Sequence, residues 1–117
     1  MSIQVRAVAK YVRMSPRKVK LVVDVVRGKG VSEALAMLSY STKAAARPVA
    51  KVIASASANA QENYGLSPDE LHIVQIAADE GPTSKRVRFG ARGRLKPILK
   101  RSTHITVVLG SQEEIVQ

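Results

Sequence analysis

The sequence predicts an α+β fold, in which a small antiparallel sheet packs on three helices and a long β-hairpin protrudes from the sheet. Three observations lead to this fold class. Apolar residues alternate or cluster as in strands near the start and the end of the chain, and between these regions they recur at helical spacing. A strongly basic segment that contains glycine separates the last two strands. Strands and helices that are segregated along a chain typically form an antiparallel sheet with helices on one face.

The first strand is predicted from Ile3 to Arg13, where apolar and polar residues alternate. A helix should then begin with Ser15 as its N-cap and Pro16 in its first turn, where the missing N–H of proline costs nothing. Gly28 and Gly30 are expected to end this helix. Its buried face is predicted to consist of Val19, Val22, Val23 and Val26.

Two further helices are predicted between the glycines and the second strand. The shorter should begin after Ser32 and end near Tyr40, and the longer should run from about Thr42 to Tyr64. Pro48 conflicts with the longer helix, so that this helix either bends there or begins its regular part near that residue. Gly65 should end it. The residues expected to face inward are Ala34, Leu35, Leu38, Val49, Ile53, Ala56 and Ala60.

The second strand is predicted at Leu71–Ala78, and the last is indicated by the alternation of Ile105, Val107 and Leu109. Between them, we expect a protruding hairpin over about residues 79–104 that reverses near Gly90–Gly93, because glycine tolerates the positive φ that a reversal needs. The length of 117 residues fits a single domain, which we take to span residues 1–117.

The charge distribution is the strongest functional signal. The chain has 19 Lys and Arg against 9 Asp and Glu, which gives a net charge of +10, and its pI is near 10.4. Eight of the 19 basic residues lie between Lys85 and Arg101, and no acidic residue occurs between Glu80 and Glu113. Such a concentration of like charge repels itself unless a polyanion neutralises it. Five of these eight residues are arginine, which grips phosphate with two N–H groups and stacks on exposed bases, so folded RNA is the expected partner.

Other classes of function have weaker support. A helix that binds a membrane surface would need bulky apolar anchors, whereas the longest predicted helix carries Ala, Ser and Asn. We therefore expect no membrane partner, and neither a signal peptide nor a membrane span is indicated, which favours the cytoplasm. The alternative for the basic segment is a disordered loop without a particular partner. The first predicted helix lacks the partner helix that a DNA-reading helix-turn-helix requires.

Chemistry at a catalytic or metal site is not indicated. The chain has no cysteine, and its only histidines are His72 and His104. Asp79 and Glu80 are neighbours on a strand and point to opposite faces, so a structural role at the base of the hairpin is expected for them. Gly28-Lys29-Gly30 lacks the spacing of a phosphate-binding loop and serves to end a helix. We therefore predict a protein that is not an enzyme and that uses no cofactor or metal.

Several motifs occur along the chain in this order: Ser15-Pro16-Arg17-Lys18-Val19-Lys20-Leu21-Val22, Arg27-Gly28-Lys29, Ser57-Ala58-Asn59-Ala60, Asp79-Glu80-Gly81-Pro82, Lys85-Arg86, Gly93-Arg94, and Leu99-Lys100-Arg101-Ser102-Thr103-His104-Ile105-Thr106-Val107-Val108. Together they resemble the family of universal large-subunit ribosomal protein number twenty-two, in its bacterial form. The likeness covers nearly the whole chain in the same order. The sequence departs from the family pattern at Phe89-Gly90, where Pro-Arg is frequent, and at Arg47-Pro48 inside the third helix.

The resemblance implies a structural constituent of the large ribosomal subunit that binds large-subunit ribosomal RNA and supports assembly. It further implies a domain on the subunit surface and a hairpin whose tip lines the nascent-peptide exit tunnel. Implied partners are the ribosomal RNA, neighbouring large-subunit proteins and the nascent peptide, with cytoplasmic, ribosome-bound localisation; no stable homo-oligomer is expected. The alternative is a free-standing basic RNA chaperone or nucleoid-type protein.

The residues expected to contact ribosomal RNA are Arg6, Lys10, Arg13, Ser15, Arg17, Lys18, Lys20, Lys85, Arg86, Arg88, Arg92, Arg94, Lys96, Lys100, Arg101 and His104. The residues expected at the tunnel-lining tip are Arg88, Phe89, Gly90, Ala91, Arg92, Gly93 and Arg94.

Overall fold

The computed structural model describes residues 4–111, apart from the side chains at positions 88, 89 and 95–98. The elements in chain order are β1 (Gln4–Val12), α1 (Pro16–Val26), α2 (Val31–Ser39), α3 (Ala46–Tyr64), β2 (Leu71–Glu80), β3 (Ser84–Phe89), β4 (Leu95–Lys100) and β5 (Thr103–Ser111). Single 3₁₀ turns lie at Pro68–Glu70 and Ala91–Gly93. The predicted α+β class is therefore confirmed, whereas Ile3, the predicted start of the first strand, lies outside the described residues.

Strand β5 lies at the centre of an antiparallel sheet with the order β1-β5-β2. Ile105 pairs with Ala9 of β1 and Ala78 of β2, and Val107 pairs with Ala7 and Ile76 in the same way. Because residues directly opposite one another share a face, the apolar residues of all three strands collect on one side of the sheet. Ile105, Val107 and Leu109 are fully buried, as their alternation predicts.

The helices cover this apolar face. Helix α3 packs on β1 and β5, α1 packs on β2, and α2 packs against α3. The predicted inward residues of α3 are all buried, and its alanines allow the helix to lie close to the sheet. The predicted valine face of α1 is also buried. The core is thus built almost entirely from Val, Ile, Leu and Ala.

The ends of the first two helices differ in detail from the predictions. Ser15 occupies the N-cap position of α1 and Pro16 the first helical position, but the hydroxyl of Ser15 makes no capping hydrogen bond. Helix α2 begins at Val31 rather than after Ser32. The hydroxyl of Ser32 instead donates to the carboxylate of Asp69, 2.9 Å away. Gly30 takes the N-cap position because it is held in an extended conformation by a β-bridge to His72.

Helix α3 begins at Ala46, later than the predicted Thr42, which resolves the conflict at Pro48. Proline is the third residue of the helix, where the backbone N–H has no partner within the helix and its absence breaks no hydrogen bond. Gly65 ends the helix as predicted: its N–H donates to the carbonyl of Gln61, and that of Leu66 to the carbonyl of Ala60.

The basic segment forms a protruding ribbon, as predicted. Strands β2 and β5 pair as far as Glu80 and Thr103, and β3 and β4 continue the pairing from Ser84 and Lys100 outward. The chain reverses at Ala91–Gly93. The molecule extends 64 Å along one axis and 25 Å along the others, and its radius of gyration of 17.3 Å exceeds the roughly 13 Å of a compact chain of this length.

Within residues 4–111, no helix has both the length and the apolar character needed to cross a membrane.

Candidate nucleic-acid interface

A concave surface lies where the base of the hairpin meets the body of the protein, and it encloses a volume of about 1260 Å³. Its walls come from the end of β1, the start of α1, the segment before α3, and the inner parts of β3 and β4. Six basic residues line it: Arg13, Lys18, Lys43, Arg86, Lys100 and Arg101. Among the residues that the structure describes, no carboxylate lines this surface. We call it the basic recess.

The start of α1 sets one wall of the basic recess. Val19 is buried against the core, which turns the preceding Lys18 and, one turn later, Leu21 towards the exposed side of the helix. Thr103, which is fully buried at the start of β5, donates its hydroxyl hydrogen to the carbonyl of Met14 over 2.7 Å. This bond joins the segment between β1 and α1 to the base of the hairpin, so that residues of α1 and of the hairpin line one surface.

The connections at the base of the hairpin are held together by Gly81 and Ser102. The N–H of Gly81 donates to the carbonyl of Ser102 over 3.0 Å, and the Ser102 hydroxyl donates to the carbonyl of Pro82 over 2.6 Å. A Cβ atom at position 81 would lie only 2.5 Å from the Ser102 hydroxyl oxygen. Only glycine therefore fits here without breaking the bond to Pro82. These contacts join Asp79-Glu80-Gly81-Pro82 to Arg101-Ser102-Thr103-His104 at the base of the hairpin.

Glu80 forms an ion pair with Arg101, with 3.3 Å between the carboxylate oxygen and the guanidinium nitrogen. The contact agrees with the structural role predicted for Glu80 beside a basic neighbour. Both side chains are about half exposed, so solvent screens the pair and it adds little stability. Its effect is to orient Arg101 at the rim of the basic recess, where the remaining N–H groups of the guanidinium can still bind an anion.

His104 holds Tyr11 at the edge of the basic recess. The backbone N–H of Tyr11 donates to Nδ1 of His104 over 3.1 Å, and the two rings meet edge to face with their centroids 5.0 Å apart. Tyr11 lines the basic recess, whereas His104 lies behind it. His104 was predicted to contact RNA; the structure shows it positioning the tyrosine that borders the basic recess. The RNA contact itself stays a prediction.

The structure brings together six of the predicted RNA-binding residues in the basic recess: Arg13, Ser15, Lys18, Arg86, Lys100 and Arg101. Others lie exposed outside it, on β1 (Arg6 and Lys10), α1 (Arg17 and Lys20), β3 (Lys85) and the tip (Arg92 and Arg94). The side chains of Arg88, Phe89 and Lys96 lie outside the described part of the chain.

Sequence reasoning missed two residues of the basic recess. Lys43 was placed on the long helix, but it precedes α3 and faces the hairpin. Tyr11 was treated only as part of a strand, although a tyrosine between Lys10 and Arg13 is an aromatic residue within a basic segment, which is a signal for RNA binding. Arg27, in contrast, makes contacts within the folded body. Its guanidinium donates hydrogen bonds to the carboxylate of Asp24 over 2.7 Å and to the carbonyl of Ile76 over 3.1 Å.

Across residues 4–111, no three His, Asp or Glu side chains lie close enough together to hold a metal ion. His72 is buried, pairs with Gly30 through a β-bridge, and does not line the basic recess.

The fold, the basic recess and the long cationic ribbon define a class of protein: a small, strongly basic α+β protein whose exposed cationic surfaces suit a polyanionic partner such as RNA. Comparison with known proteins gives the family. Residues 7–110 match the family model of ribosomal protein L22p/L17e. The chain is also 52% identical over 111 residues to the large ribosomal subunit protein uL22 of two strains of Desulfitobacterium hafniense, DSM 10664 / DCB-2 and Y51. Each alignment covers 95% of this chain and 97% of the relative.

The chain therefore belongs to the L22p/L17e family of ribosomal proteins. It is a structural, non-enzymatic constituent of the large ribosomal subunit, ribosome-bound in the cytoplasm, with ribosomal RNA and other ribosomal proteins as its partners. RNA binding is a general property of the family. This membership confirms the predicted family and disfavours the alternative of a free-standing RNA chaperone.

Proposed function

We propose that the protein binds large-subunit ribosomal RNA through two continuous surfaces, the basic recess and the hairpin, and that it thereby supports assembly of the subunit. The observation that carries the proposal is the group of six cationic side chains that line one concave surface. This surface continues into the ribbon of β3 and β4, which carries further cations at its tip. Phosphate groups of folded RNA neutralise such a surface and release their counterions on binding.

The hairpin supports insertion into RNA in a second way. A two-stranded ribbon is marginally stable in water without something packed on it, and this one carries repelling charges as well. Val87 is 66% exposed and Leu99 is 46% exposed on the ribbon. Apolar side chains at these positions gain stability only when a partner covers them. The ribbon is therefore suited to a working state in which RNA and neighbouring proteins surround it.

The tip of the hairpin is narrow and cationic, and we assign it to the wall of the nascent-peptide exit tunnel. Arg92 and Gly93 both adopt positive φ, 58° and 73°, which makes the reversal tight. Gly90 and Arg94 close the turn with a backbone hydrogen bond. A slender end of this kind fits a confined RNA-lined space, where Arg92 and Arg94 contact phosphate and the nascent peptide passes beside them. We expect the protein to act as a single copy in each subunit, without a stable homo-oligomer.

Replacing Arg92 and Arg94 at the tip tests this function. We expect Arg92→Glu with Arg94→Glu to weaken association with large-subunit ribosomal RNA. The slope of log K against log salt concentration should become shallower by about two, because two phosphate contacts are lost. The measurement is a series of filter-binding titrations at increasing salt. The affinity of the neutral double variant, Arg92→Gln with Arg94→Gln, should lie between that of the wild type and that of the charge-reversed double variant. An unchanged salt dependence in the reversed pair would remove the tip from the RNA-binding surface.

A further inference from the structure

We propose that Tyr11 is a stacking surface for one unpaired base of the bound RNA, so that the basic recess recognises a single-stranded or bulged segment rather than a regular helix. This inference rests on the proposed RNA binding of the basic recess and further specifies which kind of RNA structure binds there. Three observations support it: the exposed position of Tyr11, the backbone conformation at residue 11 and the contact with His104.

The ring of Tyr11 is displayed where bound phosphates would gather. Its residue is 64% exposed and lines the basic recess together with the six cations. The chain has only three Tyr and one Phe. With so few aromatic residues, the position of one of them among the cations is not explained by a high aromatic content. Tyr40 and Tyr64 are also exposed, but they lie outside the basic recess.

The backbone departs from a regular strand at Tyr11 itself. Val5, Ala7 and Ala9 alternate onto the core-facing side of β1, and a regular strand would turn residue 11 the same way. The pairing with β5 shifts between Ala9 and Val12, and Tyr11 has a φ of 60°, which is rare for a bulky residue. Such backbone persists where the surrounding structure holds it in place, and it is concentrated at ligand-binding sites. Here the irregularity takes the side chain out of the core and leaves Tyr11 exposed on the lining of the basic recess.

His104 fixes this arrangement from behind. Its Nδ1 accepts the backbone N–H of Tyr11, and its ring lies perpendicular to the tyrosine ring. Because Tyr11 is 64% exposed beside this perpendicular ring, its side chain keeps surface that a base can cover. An oriented ring among groups that bind phosphate is the combination by which proteins hold unpaired nucleotides: the cations bind the backbone and the ring stacks on the base.

The test compares two single-stranded probes of equal length, oligoadenylate and an abasic ribose-phosphate strand, on the full-length protein. The wild type should bind oligoadenylate about fivefold more tightly or better, since stacking on an aromatic ring favours the probe that carries bases. Tyr11→Ala should remove this preference and leave the affinity for the abasic strand unchanged. Tyr11→Phe should keep the preference, and Tyr40→Ala, a matched loss of an exposed tyrosine elsewhere, should keep it too.

A second variant separates stacking from folding. Tyr11→Gly suits the positive φ, so its thermal unfolding midpoint should not fall below that of the wild type, while its preference for bases should be lost as in Tyr11→Ala. Equal binding of both probes by the wild type, or an undiminished preference in Tyr11→Ala, would overturn the stacking role. Either result would leave the proposed function standing, because that function rests on the cations, which bind the phosphates of both probes whether or not a base is present.

Discussion

Reversing the charges of Lys18 and Arg86 together is expected to lower the affinity for large-subunit ribosomal RNA about a hundredfold at physiological salt. Both residues line the basic recess, Lys18 from α1 and Arg86 from β3. Each reversal removes one phosphate contact and adds a repulsion, and among the described residues no carboxylate of the basic recess is already there to be displaced. Both residues are exposed, so their replacement should leave the fold intact.

The matched control for that pair is Arg47→Glu with Lys51→Glu. Both residues are exposed on α3 and lie outside the basic recess, and the change in net charge is the same. Long-range attraction alone would weaken binding equally in the two pairs, whereas specific phosphate contacts would weaken it far more in the Lys18 and Arg86 pair. Titrations of ribosomal RNA at several salt concentrations measure both. Equal losses in the two double variants would contradict a specific role for the basic recess.

The second large effect is expected in the core. Ile105→Ala should lower the free energy of unfolding by about 2–5 kcal/mol, and Ile105→Val by about 0.5–1.5 kcal/mol. Ile105 is fully buried on the central strand, and its cross-strand neighbours Ala9 and Ala78 are too small to fill the space left by the lost atoms. Since aromatic residues make up only 3% of the chain, few large side chains exist to replace this contact.

Denaturant unfolding followed by circular dichroism measures the effect of Ile105→Ala. Val25→Ala on the outer side of α1 serves as the control, because Val25 is 50% exposed and its truncation should change stability by no more than about 0.5 kcal/mol. If Ile105→Ala were no more costly than Val25→Ala, β5 would not be the centre of the folded body. Because β5 continues into the hairpin through Thr103, this loss should also reduce the amount of protein assembled into subunits.

Features that depend on local spacing were predictable from the sequence. The apolar faces of α1 and α3 follow from residues at i, i+3, i+4 and i+7, and the core side of β5 follows from strict alternation. The hairpin follows from a basic segment that could not be buried and from glycines at its turn. In each case, the physical cause lies within a few residues of the effect.

Features that depend on distant partners were not predictable in this way. Helix α2 begins early because Gly30 pairs with His72, and Tyr11 leaves the strand pattern beside His104, which is 93 positions away in the sequence. The cationic residues could be identified one by one. Which of them share one concave surface depends on how the hairpin meets α1, and that arrangement rests on Thr103, Gly81 and Ser102.

In the working state, we expect RNA to surround the hairpin. The most direct measurement uses Ala91→Cys at the exposed tip, which gives a unique thiol because the chain has no cysteine. An iron chelate tethered to that thiol generates hydroxyl radicals in assembled large subunits, with Glu62→Cys on α3 as the comparison site on the body. We expect strong cleavage of ribosomal RNA around residue 91. If the tethered chelate cuts no RNA, and if the unlabelled Ala91→Cys thiol in assembled subunits reacts freely with reagents in bulk solvent, the hairpin is not surrounded by RNA.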